Sequence, residues 1–302
     1  MAWRLGYTDK VNEIMAAGVP PFISNDARGA NGINYYVSGN YGHDGNTGLS
    51  WDSPFLTLAH AFAVSHANIA ANSKGWAARN TIFISGDTFV EDLVAWPQKT
   101  DVVGVGSDDG FSMAGVTGNH APINAAIGTR FFNIRFLTSA AGIIVDLTAA
   151  CSATQFIGCL FDATGTAHTA TTGIRATAST YLKVKGCRFQ GAFSTSYITL
   201  GTGQALGTEI ENNVMTDGAA GGIIIGAGAT SAYRSLIRKN HIQCAGKVID
   251  TQATSVFNVV DNTLISAAAL GASSYVIDLT FAVGNRITGN DVSATIPVIP
   301  AT

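Results

Sequence analysis

Apolar and polar residues alternate in short stretches along most of this chain, and the stretches recur. Each copy has an apolar residue, a spacer, a turn residue, an Asn or Cys, a spacer and a second apolar residue. Counting a degenerate first copy, seven copies centre on residues 134, 159, 187, 213, 240, 262 and 290, with spacings of 25, 28, 26, 27, 22 and 28 residues. Alternation with a period of two indicates β-strands. A period of this length predicts a solenoid with one coil per repeat.

Two columns of polar residues support the repeat. The turn column consists of Asn133, Gly158, Gly186, Asn212, Lys239, Asp261 and Gly289. Six of these seven are residue types that tolerate positive φ, as a sharp bend requires. The next column ends in Asn213, Asn240, Asn262 and Asn290, whose amides we expect to hydrogen-bond from coil to coil. Cys159 and Cys187 occupy the same column and are predicted to be buried thiols.

A second row of apolar residues follows about a dozen residues after the first. Its inner members are Val145, Ile174, Ile198, Ile225, Ile249 and Ile277. Their outward neighbours are Asp146, Arg175, Thr199, Gly226, Asp250 and Asp278. The inner-row spacings of 29, 24, 27, 24 and 28 residues follow those of the first row within a few residues. At least two strands per coil are therefore predicted to stack in register.

The beginning of the chain has a different pattern. A strand at residues 35–38 and a Gly-rich turn at 42–48 precede apolar residues at helical spacing from Phe55 to Ile69. Ser53 is predicted to cap this helix, with Pro54 at its first position. We expect an attachment arm at 1–34, a segment with first strand, turn and capping helix at 35–79, a parallel β-helix at 80–295 and a tail at 296–302.

Composition narrows the classes of function. Hydrophobic residues make up 47% of the chain and charged residues 12%, about half the usual 25%. The net charge of −3 disfavours nucleic acid and anionic membranes as partners. The start has no basic region followed by an apolar run, so we expect no signal peptide, and synthesis in a host cytoplasm. No membrane span is predicted. The spacing of the cysteines and histidines predicts no metal site or other cofactor.

The Asn column, the two-residue bend and the irregular coil lengths together resemble the pectate-lyase-like superfamily over residues 35–295. This resemblance implies an all-β fold, a single-stranded right-handed parallel β-helix, with an N-terminal capping helix. Enzymes of this superfamily cleave acidic polysaccharides with calcium-binding aspartates and an Arg or Lys base, or hydrolyse them with clustered carboxylates.

Candidate chemistry is sparse. Asp250 and Asp278 occupy the same outward column on successive coils and form the best candidate catalytic pair, with an exposed structural pair as the alternative. Glu209 and Glu211 on one strand have the same two interpretations. Asp44, Asn46 and Gly48 are reminiscent of a calcium loop, and turn chemistry explains them equally.

A solenoid without a signal peptide, with an arm and little surface charge, resembles structural proteins of phages and viruses. This resemblance implies a non-enzymatic capsid decoration or tail-associated spike or fibre of the virion. It also implies a homotrimer that docks on a capsid or tail protein through residues 1–34, with host surface polysaccharide as a further partner. Two alternatives remain open: a polysaccharide lyase or glycoside hydrolase, and a glycan-binding adhesin that does not cleave.

Overall fold

The computed structural model describes residues 32–71, 78–106, 113–148, 151–165, 169–177, 179–201, 207–226, 235–251, 257–266, 277–278 and 286–293. The helix is Leu58–Ala71 (α1). The strands are Asn34–Val37 (β1), Asn80–Ile84 (β2), Thr88–Val90 (β3), Thr100–Gly104 (β4), Ala114–Thr117 (β5), Arg130–Phe132 (β6), Ile134–Leu137 (β7), Gly142–Leu147 (β8), Gln155–Ile157 (β9), Leu160–Ala163 (β10), Ala170–Ala176 (β11), Lys183–Lys185 (β12), Arg188–Gly191 (β13), Phe193–Leu200 (β14), Glu209–Glu211 (β15), Val214–Ala219 (β16), Gly221–Ile225 (β17), Ser235–Arg238 (β18), His241–Cys244 (β19), Ile249–Thr251 (β20), Phe257–Val260 (β21), Thr263–Ser266 (β22), Ile277–Asp278 (β23), Arg286–Thr288 (β24) and Asp291–Ser293 (β25).

The strands form three parallel β-sheets, and each sheet extends along the solenoid axis from one coil to the next. Sheet A has the order β1-β2-β4-β6-β9-β12-β15-β18-β21-β24, sheet B runs from β3 through β5 and β7 to β25, and sheet C runs from β8 to β23. From β6 to β23, each coil contributes one strand to sheet A, one to sheet B and one to sheet C, which gives about six complete coils. The predicted all-β parallel solenoid is confirmed.

The first predicted row is confirmed residue by residue. In sheet A, the inward-facing column runs through Phe131, Phe156, Val184, Ile210, Ile237, Val259 and Ile287 in direct register. In sheet B, Phe136, Phe161 and Phe189 also pair directly, and their rings stack at centroid distances of 5.6 and 4.6 Å. These side chains are buried in one continuous core, except that Ile287 is partly buried and packs against it. Burial of such a row on every coil is the main favourable contribution to the fold.

The turn column has the backbone conformation that the sequence predicts. All seven of its residues have positive φ, from 52° at Asn133 to 67° at Gly289. Lys239, the residue type least suited to this conformation, has a φ of 53°. The bend between sheets A and B therefore imposes the left-handed conformation on whichever residue occupies that position.

The second row needs a correction. Ile198 pairs with Ile223, and Thr199 pairs with Ile224, so the predicted members Ile225 and Gly226 are two residues too late. The sequence offers three successive isoleucines in β17, and alternation of apolar and polar residues cannot set the register there.

The predicted cap of the helix is also wrong. Helix α1 begins at Leu58, and the Oγ1 of Thr57 accepts a hydrogen bond from the amide of His60 at 3.2 Å, as an N-cap does. Phe55 instead forms an isolated bridge with Val37, which keeps the chain extended after Ser53. The helix buries Leu58, Ala61, Phe62, Ser65 and Ile69.

Only 32–34 of the predicted arm lie among the described residues, and the predicted tail at 296–302 lies outside them. Along the described part of the chain, no helix has the length and apolar character needed to cross a membrane.

Candidate functional site

The candidate catalytic pair is brought together by sheet C. Asp250 of β20 pairs directly with Asp278 of β23, as the spacing predicts. The Nζ of Lys247 lies 3.3 Å from Oδ1 of Asp250. Lys247 thus forms an ion pair with the first carboxylate of the candidate pair, and the register of β23 places Asp278 one coil away.

The candidate calcium loop is occupied by hydrogen bonds within the chain. The carboxylate of Asp44 accepts hydrogen bonds from the amides of Leu56 and Thr57, both at 2.9 Å, and from the Thr57 hydroxyl at 2.8 Å. Asn46 donates from Nδ2 to the Pro54 carbonyl at 2.8 Å. Burial raises the pKa of Asp44, but these hydrogen bonds outweigh it and hold that pKa below its ordinary value. Both side chains thus secure the loop before α1.

A second carboxylate binds the same helix end. Glu91 accepts hydrogen bonds from the amides of Leu58 at 2.9 Å and Ala59 at 2.8 Å, so it satisfies two N–H groups that a helix leaves unpaired. Burial raises the pKa of Glu91 above its ordinary value, and the nearby charge of Asp44 adds to the rise. Among the described residues, no group of three or more His, Cys, Asp or Glu side chains is arranged to hold a metal.

The outer face of sheet A carries ion pairs between coils. Asp101 is 3% exposed and receives the Nε and a terminal nitrogen of Arg130, at 2.7 and 2.6 Å, and a terminal nitrogen of Arg79 at 2.7 Å. Further along the same face, Lys183 pairs with Glu209 at 2.9 Å.

Glu211 completes this face. Its carboxylate lies 2.8 Å from Arg238 on one neighbouring coil and 3.6 Å from Lys185 on the other. Glu209 and Glu211, considered together in the sequence as a carboxylate pair, are each bound to cations of adjacent coils. Their geometry is that of a structural ladder of alternating charges.

The other sheets show the same use of carboxylates. Asp162 is fully buried and lies 2.6 Å from Arg135 in sheet B. Asp146 and Arg175 form a two-point ion pair in sheet C, and this contact raises the pKa of Arg175. Asp146 and Asp162, like Glu209 and Glu211 in sheet A, thus bind cations of neighbouring coils.

The Asn column forms the hydrogen-bonded ladder that the sequence predicts. The Nδ2 groups of Asn213, Asn240 and Asn262 each donate at 2.9 Å to the Oδ1 of the next Asn, ending at Asn290. The backbone amides of the same three residues donate to the same oxygens, at 2.9 to 3.0 Å. All three residues are 1–2% exposed. The ladder therefore satisfies polar groups inside the core.

Two thiols continue the ladder by similar bonds. Asn213 donates to the Val184 carbonyl at 2.9 Å, and Cys187 and Cys159 donate from Sγ to the equivalent carbonyls of Phe156 and Phe131, at 3.4 and 3.5 Å. Both cysteines are buried and not disulfide-bonded, as predicted. Burial and the neighbouring Cys159 raise the pKa of Cys187, which keeps it a thiol.

Sheet A also contains a column of buried hydroxyl residues that the sequence pattern did not predict. Buried hydroxyl residues occupy the inward position at the start of sheet A strands on five coils: Thr100, Thr129, Thr154, Thr208 and Ser235. Their spacing follows the repeat, with an apolar Leu182 interrupting the series. The repeat spacing places these residues at equivalent positions. However, Thr and Ser are common on solvated strand faces, so the residue type alone does not indicate burial.

Comparisons with known proteins give the following results. The sequence matches no protein-family model and no curated protein. Among solved structures, the crystal structure of pectate lyase Pel9A is similar with a TM-score of 0.47 and 14% identity, covering 91% of this chain and 83% of the lyase chain. The structure of QnrB1, a plasmid-mediated fluoroquinolone resistance protein, has a TM-score of 0.26 and 13% identity, covering 70% of this chain and 90% of the other.

Proposed function

We propose that this chain is a non-enzymatic structural protein of a phage virion, a capsid decoration or a tail-associated spike or fibre that assembles as a homotrimer. The observation that carries the proposal is the engagement of carboxylates in bonds within the chain. Asp44, Glu91, Asp101, Asp162 and Glu211 all bind amides or cations of the same molecule. A catalytic carboxylate must be available to touch its substrate, whereas these groups hold coils and the helix together.

The low charge content supports a role in assembly. With 12% charged residues, the chain has a surface suited to packing against other subunits. The proposed binding partners are further copies of the chain and a capsid or tail protein that residues 1–34 contact. Host surface polysaccharide is a third proposed partner. We further propose that the solenoid is right-handed, as parallel crossover connections generally are, and that α1 covers its N-terminal end.

The solution mass tests the trimer. We expect light scattering to give three times the chain mass of 31.2 kDa, both for the full chain and after deletion of residues 1–34. The truncated protein should remain folded and lose binding to virion particles. A monomeric full chain would contradict the trimer, and unfolding of the truncated protein would contradict the attachment arm.

A depolymerase is the second candidate, because Asp250 and Asp278 lie in register on adjacent strands. If this pair performs acid/base chemistry on a polysaccharide, replacing Asp250 with Asn should lower the cleavage rate by at least about 100-fold, the scale of general acid–base catalysis. The measurement is release of reducing or unsaturated ends from acidic polysaccharides. Asp261→Asn, at an exposed turn, is the control and should keep the full rate. Glycan binding that survives Asp250→Asn without cleavage would indicate an adhesin.

A further inference from the structure

His120 lies where the third side of the solenoid changes from loops to strands. Residues 91–99 and 118–129 close this side on the early coils, and sheet C closes it from β8 onward. His120 joins the two through an isolated parallel bridge with Val145. The amide of Asp146 donates to the His120 carbonyl at 3.1 Å. We call this junction, residues 118–121 against β8, the seam.

The side chain of His120 is fully buried at the seam. Its Nε2 lies 3.1 Å from the carbonyl oxygen of Val116 and 3.0 Å from that of Leu137. Since both neighbours are acceptors, Nε2 carries the proton and donates to both, which links the ends of β5 and β7. The other ring nitrogen, Nδ1, is buried and has no hydrogen-bond partner among the residues that the structure describes. The ring also meets the Phe136 ring edge-on at 5.4 Å.

We propose that His120 makes the seam acid-sensitive: a proton added to Nδ1 meets no acceptor among the described residues of the closed solenoid, so mild acid shifts the equilibrium towards release of residues 118–121 from β8. The neutral ring is held by two carbonyls and apolar contacts, whereas the charged ring is more stable in water than in this buried position. Release would loosen the loop-closed early coils from the strand-closed remainder while both parts keep their sheet A and sheet B pairing.

The charged groups on the surrounding elements do not change the preference of the buried His120 ring for its neutral form. Asp92 lies on the preceding loop and accepts a hydrogen bond from the Asn119 amide at 2.7 Å. Asp146 on β8 is bound to Arg175, and Arg135 on β7 is bound to Asp162. Burial lowers the pKa of His120 from 6.5 to about 4, although the two carbonyls and the charge of Asp92 act to raise it.

The direction of the pH effect follows from this depressed pKa. In the open seam His120 regains its ordinary pKa of 6.5 and binds a proton that the closed seam excludes. Opening is therefore least favourable above pH 6.5 and becomes more favourable as the pH falls towards 4. Below that value, both forms are protonated and this residue adds no further dependence.

Hydrogen exchange of the Asp146 amide tests the proposal, because that amide is protected by the His120 carbonyl. After correction for intrinsic exchange, the opening constant should rise roughly 20-fold from pH 7 to pH 5. His120→Gln keeps a donor for both carbonyls but does not titrate, so its opening constant should stay level. His241→Gln, on β19, is the matched control and should respond like the wild type.

The same exchange data can overturn the proposal. A wild-type change of less than about threefold would do so, and this result needs no variant to fold. An undiminished rise in His120→Gln would assign the effect to another group. The Val214 amide donates to the Cys187 carbonyl on coils far from the seam. An equal rise in its opening constant would show general acid unfolding in place of local opening.

Discussion

Replacing Asn240 with Ala is expected to lower the free energy of unfolding by about 3–5 kcal/mol. The Oδ1 of Asn240 accepts both the backbone amide and the side-chain amide of Asn213, at 3.0 and 2.9 Å, and its Nδ2 donates to the Ile210 carbonyl at 2.9 Å. Alanine removes all of these partners inside the core. Each buried group left unsatisfied costs about 1–3 kcal/mol, and the vacated volume adds to the loss.

Chemical denaturation measures this loss of stability, and two further variants show whether the loss is specific to the ladder. Asn258→Ala, on the outward face of β21, should change stability by less than about 0.5 kcal/mol. Asn240→Cys should cost less than Asn240→Ala, since Cys159 and Cys187 make the same bond to a carbonyl from equivalent positions. Equal losses for the Ala, Cys and Asn258 variants would mean that the ladder contributes nothing specific.

The second large effect is expected at Asp101. Replacing Asp101 with Asn should cost about 3 kcal/mol, because it leaves Arg130, with 14% of its side chain exposed, and Arg79 without their shared anion. Removing one partner of a buried charge group generally costs about 3–5 kcal/mol, and the partial exposure of both arginines reduces this.

A matched pair on the same outward column provides the control. Lys183 and Glu209 are 40% and 42% exposed, so Glu209→Gln should change the free energy of unfolding by less than about 0.5 kcal/mol. Raising the salt concentration should leave the Asp101→Asn loss largely intact, because buried pairs are screened less than exposed pairs. Similar losses for Asp101→Asn and Glu209→Gln would contradict the role assigned to burial.

Much of the solenoid was predictable because the same physical demand recurs on each coil. The bend between sheets A and B requires positive φ, and the chain meets this with Asn, Gly or Asp at six of seven positions. A second positive-φ column includes Ala153 and Tyr181, with φ of 56° for both. Neither residue type favours this conformation, so the sequence pattern did not indicate it.

Less of the candidate site was predictable, because several of its contacts join segments that are distant in sequence. The juxtaposition of Asp250 with Asp278 follows from coil spacing alone. The partners of Asp44 and Glu91 do not, because both bind the start of α1 from loops that are distant in sequence. The error at Ser53 has the same origin: the extended segment at Phe55 is fixed by its bridge to Val37, a contact that local capping preferences do not contain.

The asparagine ladder makes the coil a modular unit of length. Asn240 and Asn262 each present an acceptor to the coil before and a donor to the coil after, and the backbone spacing between coils is that of neighbouring strands. A duplicated coil that carries its Asn would offer the same acceptor and donor to its two neighbours. We expect insertion of such a coil between Asn213 and Asn262 to lengthen the solenoid by about 4.8 Å, the spacing of neighbouring strands.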